Sequence, residues 1–146
     1  MLQLQGPTIT ADVVCRPLPE LSGWAPMDVA EALRHRPGLA LLEAARPGRR
    51  ARWSYLTADP ILVLDRPSDG SDPFAAARDA LRRLAPDRPA IEGDAAPPPF
   101  AGGLVGYLGY ELGRWLERLP EGPPDDQGLP VLRLALHDWV VAFDRA

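Results

Sequence analysis

The chain contains no lysine: all 16 of its basic residues are arginine. That absence reads as a codon-composition bias of the kind a GC-rich genome gives, not as chemistry. There is one cysteine, Cys15, which excludes an internal disulfide and a cysteine-rich zinc site. There are two histidines, His35 and His137, far apart and without carboxylate or cysteine at ligand spacing, so no metal site is expected. No apolar run approaches the ~20 residues that span a bilayer. The N-terminus MLQLQGPTITADVV has neither a charged n-region nor a long apolar core, so no signal peptide is read and a cytoplasmic location is expected. Positive charge is not in excess. The formal net charge of -4 argues against a nucleic-acid surface.

What is abundant is proline and glycine, with 18 and 13 residues. The prolines cluster in connections. PDRPAIEGDAAPPP, residues 86–99, holds five of them in fourteen residues and reads as an internal linker. The glycines concentrate just after it, in PFAGGLVGYLGYELGRWLERLP. There Gly102, Gly103, Gly106 and Gly109 alternate with Leu104, Val105, Tyr107, Leu108 and Tyr110. Glycine weakens a strand, because it loses more backbone entropy than other residues and packs no side chain. Four in one strand imply a close backbone approach, to another strand or to a bound molecule. The stretch lacks GxGxxG and the GK[ST] ending of a P-loop, which argues against a phosphate cradle. A membrane GxxxG contact fails because the apolar segment is short and Glu111 and Arg114 follow.

The remaining elements follow from period and punctuation. Thr8 to Arg16 predicts a strand, and Pro26 opens a helix over MDVAEALRHR with Met27, Val29, Ala30 and Leu33 near one face. LALLEAA (39–45) and RWSYLTA (52–58) predict a hairpin, and ILVLD (61–65) a short buried strand. Asp72-Pro73 caps a helix whose apolar stripe is Phe74, Ala77, Leu81 and Leu84. The glycine stretch is a strand to about Gly109, then a helix from Glu111 to Arg118. VLRLALHDWVVAF (131–143) is one long or broken strand, apolar on both faces at Trp139, Val140, Val141 and Phe143. A strand of that kind needs layers on both sides, so the chain is expected to be part of a larger fold or to receive a partner, and to expose apolar surface there. Hairpins dominate over βαβ units. The fold class expected is α+β, a largely antiparallel sheet with flanking helices.

No catalytic constellation emerges. His137 and Asp138 are strand neighbours and point to opposite faces, with no nucleophile at hand. Ser54 lies in a strand without a nucleophile elbow. The arginines Arg46, Arg49, Arg50 and Arg52 could hold an anion, though a solvated hairpin tip explains them as well. Glu43 stands in an otherwise apolar strand. If it faces inward its carboxylate needs a partner or a ligand; if outward, only water.

The glycine stretch, followed by LPVLRLALHDWVVAFD, resembles the N-terminal region of the component I chorismate-utilising enzymes, aminodeoxychorismate synthase and anthranilate synthase component I. LALLEAA…RARWSYLTADP resembles the same family's LLES…RYS…DP pattern, so the matches cover most of residues 39–144 in order. GYELGR and the short N-terminus favour the aminodeoxychorismate, or para-aminobenzoate, branch of folate biosynthesis. The resemblance implies that residues 1–146 are a component I N-terminal domain contributing to a layered β-sandwich. It implies chorismate amination with ammonia from a glutamine amidotransferase partner. Magnesium and the catalytic residues are implied only in a C-terminal chorismate-binding domain that this chain does not contain, so no catalytic residue carries over. The domain is then a scaffold with an effector pocket. The family's pocket takes tryptophan, and the matching positions are Glu43, Ala44, Trp53, Ser54, Tyr55 and Leu56. Ala44 stands where the motif has serine, and Trp53 where it has tyrosine. A lost hydroxyl contact in a buried site costs about 1–3 kcal/mol, which weakens tryptophan binding. Two readings of other classes remain open: a stand-alone aromatic amino-acid sensor, and an interaction module docking on an amidotransferase or a separate catalytic domain.

Overall fold

A computed structural model describes residues 13–44, 51–65, 71–84, 90–91, 98–118, 120, 122 and 128–145. Its elements are β1 (Val14–Cys15), a 3₁₀ turn (Pro19–Leu21), α1 (Pro26–Ala32), β2 (Ala40–Leu42), β3 (Trp53–Thr57), β4 (Leu62–Asp65), α2 (Ala75–Leu84), β5 (Ala90–Ile91), β6 (Gly103–Leu108), a 3₁₀ helix (Tyr110–Trp115), β7 (Leu132–His137) and β8 (Val141–Asp144). Two three-stranded antiparallel sheets result, ordered β2-β3-β8 and β4-β7-β6. The α+β class is therefore observed.

Each sheet carries one helix. On the first, Val29 and Ala30 of α1 pack on Leu56, with Leu33, Leu39, Leu41, Trp139 and Phe143 around them. On the second, Ala77 and Ala80 of α2 pack on Leu64 and Leu136, with Leu62, Leu104 and Leu134 alongside. Much of each expected stripe faces inward: Val29 and Ala30 are buried with Leu33 packed beside them, and Ala77 is buried with Phe74 half-buried. Met27 and Leu81 point to solvent, and Ala80, outside the expected stripe, is buried. Alanine at the contact lets a helix sit close to a sheet already filled with leucine, so the larger side chains turn outward.

Local chemistry sets the helix ends. Pro26 opens α1, and Asp28 Oδ2 accepts from the Ala25 amide at 2.8 Å, satisfying one orphan donor. Asp72 Oδ1 accepts from the Phe74 amide at 2.8 Å, and Arg78 pairs with the same carboxylate. Those bonds hold the Asp72 carboxyl below its ordinary range, the Phe74 amide first and Arg78 second.

The two sheets share one bent ribbon. β3 pairs with β8, and β4 with β7, so both chains leave one sheet and enter the other side by side. Between the pairs Leu56–Val141 and Leu62–Leu136 lie residues 57–61 on one side and 137–140 on the other. The first side is longer by one residue, which is the count of a β-bulge. Asp59 sits within it at φ 51°, a left-handed conformation that Asp tolerates. The corner is tied by Thr57 Oγ1 donating to the Trp139 carbonyl at 2.7 Å and by the Ile61 amide donating to the Leu136 carbonyl at 2.9 Å. Strands that change sheets at a bulge are how two sheets share a chain.

The long terminal strand is thus broken at 138–140, and its apolar residues are not bare. Trp139, Val140, Val141 and Phe143 are all half-buried, Trp139 and Phe143 within the first core. The exposed apolar residues lie elsewhere, at Val63, Tyr107, Leu108, Tyr110, Leu116 and Leu129 among others. Three further expectations are revised. The segment after Gly109 is a 3₁₀ helix that ends at Trp115, not a helix to Arg118. The linker 86–99 contains a real pairing, since Ala90 and Ile91 lie parallel to Val14 and Cys15. Of the predicted strand 8–16, residues 8–12 lie outside the described residues, and the observed part is Val14–Cys15. Among the described residues no helix is long and apolar enough to cross a membrane.

Candidate functional site

Strand β3 carries four of the six predicted positions, Trp53, Ser54, Tyr55 and Leu56, and Glu43 and Ala44 directly follow β2; strand alternation divides those on β3. Ser54 lies opposite Phe143, and Leu56 opposite Val141 and Leu41. Leu56 packs on α1, so Ser54 faces the α1 side with it. Leu56 is 0% exposed and belongs to the core. Trp53 and Tyr55 face the other way. Their rings are nearly parallel, 6.3 Å apart between centroids. The edge of Phe100 meets Tyr55 at 5.6 Å in a T-shaped contact, and the Arg52 guanidinium lies 5.1 Å over Trp53. The six positions therefore form two surfaces: a polar end around Glu43, Ala44 and Ser54, and an aromatic shelf of Trp53 and Tyr55.

At the polar end, Glu43 pairs with Arg145, and the Ala44 carbonyl accepts from Arg145 Nη1 at 2.8 Å. Ser54 is 0% exposed, and among the described residues its hydroxyl has no hydrogen-bond partner. A buried hydroxyl without a partner is uncommon in folded proteins and marks a place where a polar group would be welcome. Arg52 forms a bidentate pair with Asp144, 2.6 and 2.5 Å, which locks β8 against β3. Neither Arg145 nor Arg52's pairing was visible in the sequence as a site feature. Both partners of each pair are about 90 to 100 residues apart, and only the β3–β8 register brings them together.

The shelf is shaped by the glycine stretch. Gly102 and Gly103 have φ of 141° and 139°, backbone that side chains rarely adopt. That geometry folds Phe100 back onto Tyr55. A Cβ on Gly103 would meet the Phe100 ring at 3.3 Å. Burial pushes the Tyr55 phenol above its ordinary range, with a backbone hydrogen bond from Phe100 pulling the other way.

The other candidates separate. Arg46, Arg49 and Arg50 lie outside the described residues, and Arg52 is engaged as above. His35 is exposed. His137 is 1% exposed, with Nδ1 3.3 Å from the Ala58 carbonyl and Nε2 without a partner among the described residues, whereas Asp138 is exposed. The two do not form a relay. Among the described residues no group of three His, Cys, Asp or Glu could hold a metal ion. An open depression of about 550 Å³ is lined by the consecutive residues Arg114, Trp115, Leu116, Glu117 and Arg118. Among the described residues its walls come from one segment, without the convergent groups of a built site.

No protein-family model matches the chain. Curated relatives do. It is 38% identical over 125 residues to anthranilate synthase component 1 of Mycolicibacterium smegmatis, covering 75% of this chain and 23% of the relative. It is 40% identical over 111 residues to the Streptomyces coelicolor protein of the same name, covering 75% and 20%. It is 31% identical over 141 residues to aminodeoxychorismate synthase component 1 of Salmonella typhimurium, covering 83% and 30%. The chain spans about a quarter of the length of these relatives. With the ordered motifs at residues 39–144 and this level of identity, the chain belongs to the family of anthranilate synthase component 1 and aminodeoxychorismate synthase component 1.

Proposed function

We propose that this chain is the scaffold and effector-binding part of a component I synthase that aminates chorismate, without catalytic activity of its own. The observation that carries this reading is the 38–40% identity to anthranilate synthases over three quarters of the chain. The geometry supports the effector role. Glu43 and the Ala44 carbonyl meet on Arg145, and the buried Ser54 lies near the same end of β3, at positions matching the family's tryptophan site. Chorismate, magnesium and the reaction itself belong, on this reading, to the three quarters of the relatives beyond the match. The location is cytoplasmic, as expected of a soluble biosynthetic enzyme. Titration calorimetry with tryptophan tests the effector role. Saturable heat at or below millimolar ligand is expected, and none at that concentration removes it.

GYELGR supports the para-aminobenzoate branch, against the higher identity to anthranilate synthases. A ligand that co-purifies and survives dialysis fits a structural effector of the first branch. One that exchanges freely fits a feedback inhibitor of the second.

One observation favours an interaction role alongside. α2 covers one face of the second sheet. On the opposite face, by register, lie Val63, Ala135 and Val105 in one row and Asp65, Arg133 and Tyr107 in the next. Val63 and Tyr107 are exposed there. That face suits an amidotransferase subunit or a chorismate-binding domain. Co-elution with either supports this, and a partner-free monomer in the presence of both refutes it.

A further inference from the structure

This inference rests on the effector-site reading above. Two acceptors meet at the polar end of the first sheet: a Glu43 carboxylate oxygen and the Ala44 carbonyl. That pairing is what recognises a primary ammonium, which has three donors and no acceptor. Both are already taken by a single side chain. Arg145 Nη2 pairs with Glu43, and Nη1 donates to the Ala44 carbonyl at 2.8 Å. The base of that side chain is fixed, because the Arg145 amide donates to the Arg52 carbonyl at 2.9 Å at the end of the β3–β8 ladder. The β2–β3 register ends at the Leu42–Tyr55 pair; continued by one step it directs Glu43 toward Ser54, whose buried hydroxyl has no partner among the described residues. The site thus holds a cation of its own where a ligand's ammonium belongs.

We propose that Arg145 is an internal plug. It occupies the cation-recognising end of the effector site, and an aromatic amino acid binds by displacing the guanidinium from Glu43 and the Ala44 carbonyl. The pair is built to open. The side chains of Arg145 and Glu43 are 37% and 32% exposed, so water screens the pair, and the freed guanidinium returns to solvent at small cost. The displaced energy appears as lost ligand affinity.

The test is titration calorimetry of the full chain and of Arg145→Ala and Arg145→Gln, with three probes: tryptophan, tryptamine and indole-3-propionate. Both variants are expected to bind tryptophan and tryptamine about threefold to tenfold more tightly than the wild type. Indole-3-propionate, which has no ammonium, gains nothing. Adding Glu43→Gln to Arg145→Ala abolishes the gain. Arg145→Gln keeps most of the stem and guards against a folding artefact, which a melting curve of each variant checks. Weaker or unchanged binding of tryptophan in both variants overturns the plug while leaving the effector site standing. No heat from any probe with any variant overturns both.

Discussion

Replacing Gly106 with alanine isolates what the glycine stretch is for. Gly106 lies in β6 opposite Leu134 of β7. A Cβ there would sit 2.0 Å from the Arg133 carbonyl oxygen and 2.9 Å from both the Arg133 carbonyl carbon and the Leu134 Cα. All three atoms are backbone, so no rotamer change relieves the contact. Real Cβ atoms essentially never come within 3.0 Å of such atoms, so the strands must part locally by roughly an ångström. Parting strains the ladder on either side, where Val105 pairs with Ala135 and Tyr107 with Arg133. Losing two ladder hydrogen bonds costs about 1–3 kcal/mol, and overpacking adds a similar amount. Against this, alanine restricts the unfolded chain and returns about 0.4–1 kcal/mol. The net expectation is a loss of about 2–4 kcal/mol. For a domain of this size that lowers Tm by about 6–14 °C. Gly122→Ala is the control, because its Cβ would meet only the flexible end of Arg114 at 3.2 Å. Circular-dichroism melts and urea titrations of both variants measure it. If Gly106→Ala melts within about 2 °C of the control, the close-approach argument fails.

Three other outcomes are expected. Ser54→Ala removes a buried hydroxyl that has no partner among the described residues, so the variant should be as stable as the wild type or up to about 1 kcal/mol more stable by urea titration; a loss above about 1 kcal/mol would mean the hydroxyl is bonded. Phe100→Ala strips the edge-to-face contact with Tyr55 and should cost about 0.5–1.5 kcal/mol beyond the lost burial, with the excess vanishing when Tyr55→Leu is made in the same chain. Asp72 carries a carboxyl held low in the folded state, so its stabilising effect is complete above the unfolded value of 3.8 and disappears as pH falls through the lower folded value. The Tm difference between wild type and Asp72→Ala should therefore be constant above about pH 5 and shrink below pH 3.8, and a difference that grows on acidification would reverse the sign of this argument.

Much of the fold was legible where period and punctuation agree. The strands β3 and β4 and the helix behind Asp72 fall within a residue or two of their sequence signals, and β2 starts within one residue of its signal but ends at Leu42, three residues short of the expected 45. A break in 131–143 was one of two readings of the sequence, but its place at 138–140 was not legible, because its cause lies in the partner strand. There the extra residue around Asp59 turns the ribbon from one sheet to the other. The helix faces were legible at Val29, Ala30, Leu33 and Ala77, and misread only at their edges: periodicity marks Met27 and Leu81 as apolar positions, but both point to solvent while Ala80 makes the contact. The candidate site was half visible. Glu43 stood out as a charge in an apolar strand, yet its partner Arg145 is 102 positions away and carries no local signal.

The glycine stretch joins the two halves of this molecule. Gly106 lets β6 press against β7 and so belongs to the second sheet. Gly102 and Gly103, just before it, turn the chain so that Phe100 reaches Tyr55 in the first sheet. Any side chain at Gly103 meets the Phe100 ring, and one at Gly102 comes within 3.1 Å of the His137 carbonyl at the corner where β7 ends. A substitution at either position therefore acts on the aromatic shelf and on the corner together. This glycine and aromatic stretch thus sets how closely β6 approaches β7 and where the Phe100 ring is placed.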